Sequence, residues 1–191
     1  MIGKTRSKAA LIAAVLTVAA SGLNAADADA RAIGVITGHY SPRVFAAGAI
    51  AAADLDKILS AAVRSPSAAN RQNWHFTVVR DQRLAQRIVS GIVEGNILIV
   101  VSAPGDSKTN GAAMLDCGLA TQSIYLAAQA LGLGSRIYTG PMDAVNASLK
   151  DELGLPAGHS AAALVRIGRL PADAVTAASS RKALDSVVSY K

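Results

Sequence analysis

The chain has a single cysteine, Cys117, among its 191 residues. One thiol excludes an intramolecular disulfide framework, and its distance from the N-terminus excludes a lipid-attachment cysteine beside a leader. Aromatic side chains make up 4% of the composition, too few for a base-stacking platform, and there is no basic run, so nucleic-acid binding is not expected. The three histidines, His39, His75 and His159, are scattered, which argues against a metal centre. No Ser-His-Asp set, HExxH pair or paired carboxylates stand at a convincing spacing. The uncharged run from Ala9 to Ala20 is shorter than the ~20 residues a bilayer-crossing helix needs, so no stable membrane anchor is expected.

What is present starts with a leader-like segment. Lys4, Arg6 and Lys8 precede that apolar run, and small residues around Ala26, Ala28 and Ala30 follow it. Residues 1–30 are therefore expected to be a secretory signal, cleaved after Ala25, Ala28 or Ala30, with the protein exported to the periplasm or secreted. There is no twin arginine. The formal charge of the whole chain is +6. Losing the first 25 residues removes three basic groups and no acidic one, leaving 16 basic against 13 acidic groups and a charge near +3. The remaining length, residues 31–191, suits one domain with a proper core and shows no repeat or linker.

Periodicity places helices over Ala53 to Val63, Asp81 to Ile92, Met114 to Leu131 and Asp143 to Leu153. Strands are expected from Trp74 onward, over Ile97 to Val101, Ser135 to Tyr138 and Ala161 to Ile167. Arg80, Arg83 and Arg87 form a solvated helix face. Gly132 and Gly134 follow a helix, so they are a helix stop and not a phosphate loop, whose glycines follow a strand. Cys117 is expected to be a buried small residue, with no basic neighbour to make it a thiolate. Pattern alone goes no further than mixed α and β.

Most of the chemistry is concentrated between the first helix and the first strand, in Arg64-Ser65-Pro66-Ser67-Ala68-Ala69-Asn70-Arg71-Gln72-Asn73-Trp74. A proline fixes the backbone there, and serine, amide and guanidinium groups supply a dense set of hydrogen-bonding atoms suited to a polar, planar, anionic ligand. The order Pro-Ser-x-x-Asn-x-Gln-x-Trp, at Pro66, Ser67, Asn70, Gln72 and Trp74, resembles the nitroreductase family of FMN-dependent flavoenzymes, with Asn73 in place of a second proline. Two further matches follow in order. His39-Tyr40-Ser41-Pro42-Arg43-Val44-Phe45 resembles the family's Arg-x-Ser-x-Arg-x-Phe, with Ser41, Arg43 and Phe45 matching and His39 in place of the first arginine. The segment from Asp116 through Gly118, Ala120, Gln122, Leu126, Ala127, Ala128 and Leu131 to Gly134 resembles the family's central helix.

The resemblance implies an α+β, nitroreductase-like fold, a mostly antiparallel central sheet flanked by helices. It also implies a homodimer with interlocked C-terminal segments and FMN sites at the interface. His39, Ser41 and Arg43 are the implied phosphate contacts, and Pro66, Ser67, Ala68 and Asn70 the implied ring-edge loop. Thr139 and Gly140 are candidates to donate N–H groups near N5 or O4 of the flavin, and Arg181 and Lys182 to close over the phosphate. The implied activity is two-electron transfer, as hydride through flavin N5, from a donor such as NAD(P)H to a nitroaromatic, a quinone or a similar acceptor. No side chain is needed as a catalytic acid or base for the hydride step. The alternative is an exported flavin-binding or flavin-free dimer of the same scaffold without NAD(P)H-dependent reductase activity.

Overall fold

The computed structural model describes residues 25–106 and 108–191. The expected export signal lies outside the described residues except for its last six positions, which open helix α1 (Ala25–Gly38). The remaining elements follow as α2 (Ala52–Val63), β1 (His75–Val79), α3 (Gln82–Ile88), β2 (Ile97–Pro104), α4 (Gly111–Ala130), β3 (Gly134–Tyr138), α5 (Met142–Ser148) and β4 (His159–Gly168). The four strands form one sheet in the order β1-β2-β4-β3, with every pairing antiparallel. This is the expected α+β architecture.

Alternation along the strands explains the layers. Trp74, Phe76 and Val78 with Ile97, Ile99, Val101, Val165 and Ile167 pack on one face against Leu55 and Ile58 of α2 and Cys117, Ala120 and Ile124 of α4. Val79, Leu98, Val100 and Leu164 project from the other face against Ala85 and Ile88 of α3 and Met142 and Val145 of α5. Strands β2 and β4 are covered on both faces, which is why their sequences run apolar without a polar alternation. Each fully buried Ile, Leu or Val contributes roughly 1.5–3 kcal/mol, so this two-sided sheet is the main source of stability.

Two expected helices are shorter than their apolar patterns. The first ends at Ile88, since Val89 is extended and Gly91 takes φ +73°; Ile92 is buried nonetheless because the chain folds back. The start of α3 is set by Asp81, whose carboxylate accepts from the Leu84 N–H at 2.9 Å. The second ends at Ser148, and Leu149 and Leu153 reach the core from the turns that follow. Arg87, on the face expected to be solvated, reaches Glu152 in that turn at 2.6 and 2.7 Å. Beyond β4 the chain from Pro171 to Lys191 has one short 3₁₀ turn (Leu184–Ser186) and no strand. Among the described residues no helix is long and apolar enough to cross a membrane.

Candidate functional site

Helix α2 delivers the polar loop, and α4 holds it. Pro66, Ala68 and Asn70 are exposed and Ser67 is partly so. Three residues without the freedom of glycine take left-handed backbone, Ala69 at φ 51°, Asn70 at 52° and Gln72 at 50°. Asparagine tolerates this; for alanine and glutamine it costs roughly 1–2 kcal/mol each. The conformation survives because its bonds over-determine it. The Gln72 N–H donates to Ser67 Oγ at 3.0 Å, the Gln72 amide reaches Asn70 Oδ1 at 3.3 Å, and the Ala68 N–H donates to Asp116 Oδ1 at 2.9 Å. Ser67 keeps its hydroxyl proton and Asn70 its side-chain N–H groups for a ligand. Strain of this kind, held in a surface loop, is characteristic of binding sites.

The second segment is tied to the other half of α4. The Tyr40 N–H donates to Gln129 Oε1 at 3.2 Å, and the Tyr40 carbonyl accepts from Gln129 Nε2 at 2.8 Å and from the Tyr125 hydroxyl. Gln129 also donates to Ser135 Oγ, which donates to the Tyr125 carbonyl at 2.7 Å. His39 turns toward this network, its Nδ1 lying 3.3 Å from Tyr125 Oη and its ring edge-on to the tyrosine. It lines a groove with Arg31 and Gln129. Ser41 and Arg43 instead line a neighbouring cleft of about 440 Å³ with Pro171, Asp173 and Ser179. Among the described residues neither Ser41 nor Arg43 makes a side-chain hydrogen bond or ion pair.

Thr139 and Gly140 are exposed and follow β3, with the Thr139 carbonyl accepting from the Met142 N–H at 3.1 Å at the start of α5. They lie at the end of β3 opposite Gly134, the residue that packs on Phe45. Arg181 and Lys182 are exposed; Arg181 donates to the carbonyls of Ser179 and Ser180 at 3.1 and 3.0 Å, so it stays next to the cleft in sequence without lining it.

Within one copy these groups are not gathered. Asp116 holds the loop, whereas Tyr125 and Gln129, nine and thirteen residues later, hold Tyr40; the two attachments are about 14 to 20 Å apart along the helix axis. Thr139 and the loop sit toward the same end of the sheet but at opposite edges, since β3 and β1 are its outer strands.

Several supporting residues escaped the sequence reading. Asp116 was assigned only to the central helix, yet it is buried and anchors the loop; an acid inside an otherwise apolar helix was the available signal. Arg166, buried beneath Phe45, offered the same kind of signal as a lone charge in the apolar strand Ala161 to Ile167, whereas Asn96, buried beside it, carried none. Cys117 is 1% exposed, and burial, with the nearby Asp116 charge, pushes its thiol up to about 11, as an inert core cysteine requires.

Comparison with solved structures first defines the class. A nitroreductase with bound FMN from Desulfitobacterium hafniense superimposes with a TM-score of 0.71 at 25% identity, over 84% of this chain and 98% of that one. The NADPH:FMN oxidoreductase of Vibrio harveyi, solved with NAD+, shares the fold with a TM-score of 0.73 at 21% identity, over 84% of this chain and 76% of its own. An Archaeoglobus fulgidus protein, provisionally named an NADH dehydrogenase/NAD(P)H nitroreductase, is 35% identical over 138 residues, 67% of this chain and 79% of its own length. The fold is thus that of nitroreductase-type oxidoreductases. The chain belongs to the nitroreductase family, whose sequence profile matches residues 36–97 and 91–169.

Proposed function

We propose that this protein is an FMN-dependent oxidoreductase that works as a homodimer, with each flavin held between two copies. The observation that carries the reading is the cleft lined by Ser41 and Arg43, two residues apart in sequence, exposed and without intramolecular polar partners among the described residues. A hydroxyl and a guanidinium so placed fit the terminal phosphate of a flavin mononucleotide, the guanidinium offering a planar fork of donors. The strained Pro66–Asn70 loop fits the other end of the same ligand, with the Ser67 hydroxyl and Asn70 amide as donors to a ring edge.

Dimerisation is supported by the separation of these two sets of groups on α4, which a second copy can close. It is supported also by an apolar stripe on the outer face of that helix, where Leu115 is 63% exposed. The tail adds exposed Val175, Val187 and Tyr190, suited to packing on a partner subunit. When bound, FMN supplies the two-electron redox chemistry. The chain's own part is to bind and orient: Arg43 and Ser41 neutralise and position the phosphate, Ser67 and Asn70 fix the ring edge, and the Thr139 and Gly140 N–H groups are offered at the edge of β3. No side chain is assigned a proton-transfer role.

The names of the relatives favour NAD(P)H as donor, and nitroaromatics or quinones are the proposed acceptors. The full-length purified protein should be yellow, bleach with NAD(P)H and recolour when a quinone or nitro compound is added. Arg43→Ala should weaken FMN binding by about 1.5–3 kcal/mol through loss of a charge-assisted hydrogen bond; an unchanged dissociation constant removes Arg43 from the site. The commitment of His39 to Tyr125 favours the second reading, a flavin-poor dimer without reductase activity, and protein that stays colourless in excess FMN would select it. Export through residues 1–30 is proposed alongside, and N-terminal sequencing of the protein from the periplasmic fraction tests it.

A further inference from the structure

We propose that Arg166 and Asn96 form a buried latch that positions the Ser41–Arg43 segment, which makes both of them positioning residues for recognition of the flavin phosphate; the inference rests on the FMN reading above. Arg166, near the C-terminal end of β4, is 4% exposed and Asn96 is fully buried. Arg166 donates from Nε and Nη2 to Asn96 Oδ1 at 2.9 and 2.7 Å and from Nη2 to the Gly91 carbonyl at 2.9 Å. Its guanidinium lies over the Phe45 ring, 4.1 Å from the centroid. Among the described residues no carboxylate is within ion-pair distance of it. Asn96 in turn donates from Nδ2 to the Ala46 carbonyl at 3.2 Å. The one network therefore grips Phe45 and Ala46, two and three residues beyond Arg43.

A buried guanidinium matched only by neutral acceptors and an aromatic face is costly to keep. An apolar residue of similar volume at such a place is often neutral or stabilising. Burial pushes the Arg166 guanidinium below its usual range, which is the same penalty seen from the proton's side. Stability thus gives little reason for the charge, whereas two of the groups it touches, the Phe45 ring and Asn96, bear on where the 43–46 backbone sits. The surroundings are cut to fit: a Cβ on Gly168 would stand 2.6 Å from Asn96 Nδ2, and one on Gly95 would stand 2.4 Å from the backbone of Gly48. Further backbone bonds, from the Ala46 N–H to the Arg169 carbonyl at 2.9 Å and from the Gly48 N–H to the Glu94 carbonyl at 3.0 Å, fix the segment downstream. Between Tyr40, latched to α4 at the cleft's edge, and Phe45, latched to Arg166, Ser41 to Val44 line the cleft.

Binding of FMN and of riboflavin to the full chain separates this role from a general one in folding, since the two ligands differ only in the phosphate. The parent protein should prefer FMN. Arg166→Leu removes the charge. Asn96→Asp, nearly isosteric and still able to accept from Arg166, replaces the donor to Ala46 by an oxygen and keeps the test open if Arg166→Leu fails to fold. Both variants should reduce the FMN-over-riboflavin preference by about tenfold, equivalent to ~1.4 kcal/mol, while riboflavin affinity stays unchanged. Equal weakening of both ligands, or an unchanged preference, overturns the latch. A parent protein that binds neither flavin, or binds both alike, overturns the FMN reading itself and the latch with it.

Discussion

The two ends of α4 hold the two candidate segments in opposite ways. Near its start one carboxylate oxygen, on Asp116, secures a loop that carries three left-handed residues. Near its end Tyr125, Gln129 and Ser135 secure Tyr40 through a closed set of neutral hydrogen bonds in which several acceptors and donors are shared. The first arrangement is strained, and its reach from Ala68 to α4 is one charged contact, beside the Ser65–Ser123 hydroxyl bond at the loop's entry; the second is relaxed and redundant. The contrast matches the chemistry proposed for each. A loop that must wrap a ring edge keeps its donors turned outward and its backbone under tension, while a segment that presents a phosphate-binding serine and arginine needs a fixed base.

The sharpest way to break the contrast is to disturb the helix between its two ends. Ile124 is fully buried there, and Ile124→Ala should cost about 3 kcal/mol in urea unfolding, through lost transfer energy and the cavity left behind, loosening both segments together. Next in size, Asp116→Ala should cost about 2 kcal/mol, because a hydrogen bond to a charged acceptor is lost and nothing else holds the Ala68 N–H; amide exchange at Ala68 should quicken well before global unfolding. Gln129→Ala should cost only about 1 kcal/mol, since the Tyr125 hydroxyl still donates to the Tyr40 carbonyl. Equal costs for these two variants would erase the difference between single and redundant anchorage.

Relief of the strain should be visible as a gain. Ala69→Gly should stabilise the protein by roughly 0.5–1 kcal/mol, the left-handed penalty removed less the extra chain entropy of glycine; a loss would show that the loop is not under tension. The smallest effect lies at the sheet end behind this loop, where His159 faces Ser102 Oγ at 3.4 Å and the ring of His75. Burial first, then the neighbouring His75, holds the His159 imidazole below the usual histidine range. The unfolded chain therefore binds the proton more readily, so stability rises with pH up to the ordinary histidine pKa of about 6.5 and falls as pH drops below it. His159→Asn should flatten that slope in unfolding midpoints measured from about pH 7 to about pH 5.

Much of the fold was legible because it rests on local patterns. The continuous apolar run at Ile97–Val101 reads as a strand fit for the middle of a sheet, and β2 is one, extended through Pro104. The α4 pattern ends where expected and Gly132, at φ +74°, is its stop, but the helix starts at Gly111, three residues before the expected Met114, and Gly134 opens β3 instead of completing the stop. The helices read too long, over Asp81 to Ile92 and Asp143 to Leu153, show the limit of such patterns: Ile92 and Leu153 are buried, as their spacing implied, but from turns that fold back and not from a continued helix. Periodicity reports which residues face the core and not which backbone brings them there.

The amino-acid order by itself determined the four strands and helices α2 to α5, though not α1, together with the apolar faces, the inert cysteine and the concentration of hydrogen-bonding groups at Ser41, Arg43 and Pro66–Asn70. Only the tertiary structure decided how those groups are held: that Asp116 anchors one set and Tyr125 with Gln129 the other, that His39 turns toward tyrosine, and that a buried arginine lies beneath Phe45. The physical reason is distance along the chain. Partners such as Tyr40 and Gln129 or Asn96 and Arg166 stand many residues apart, and no local spacing records a contact that exists only after the sheet and α4 have packed.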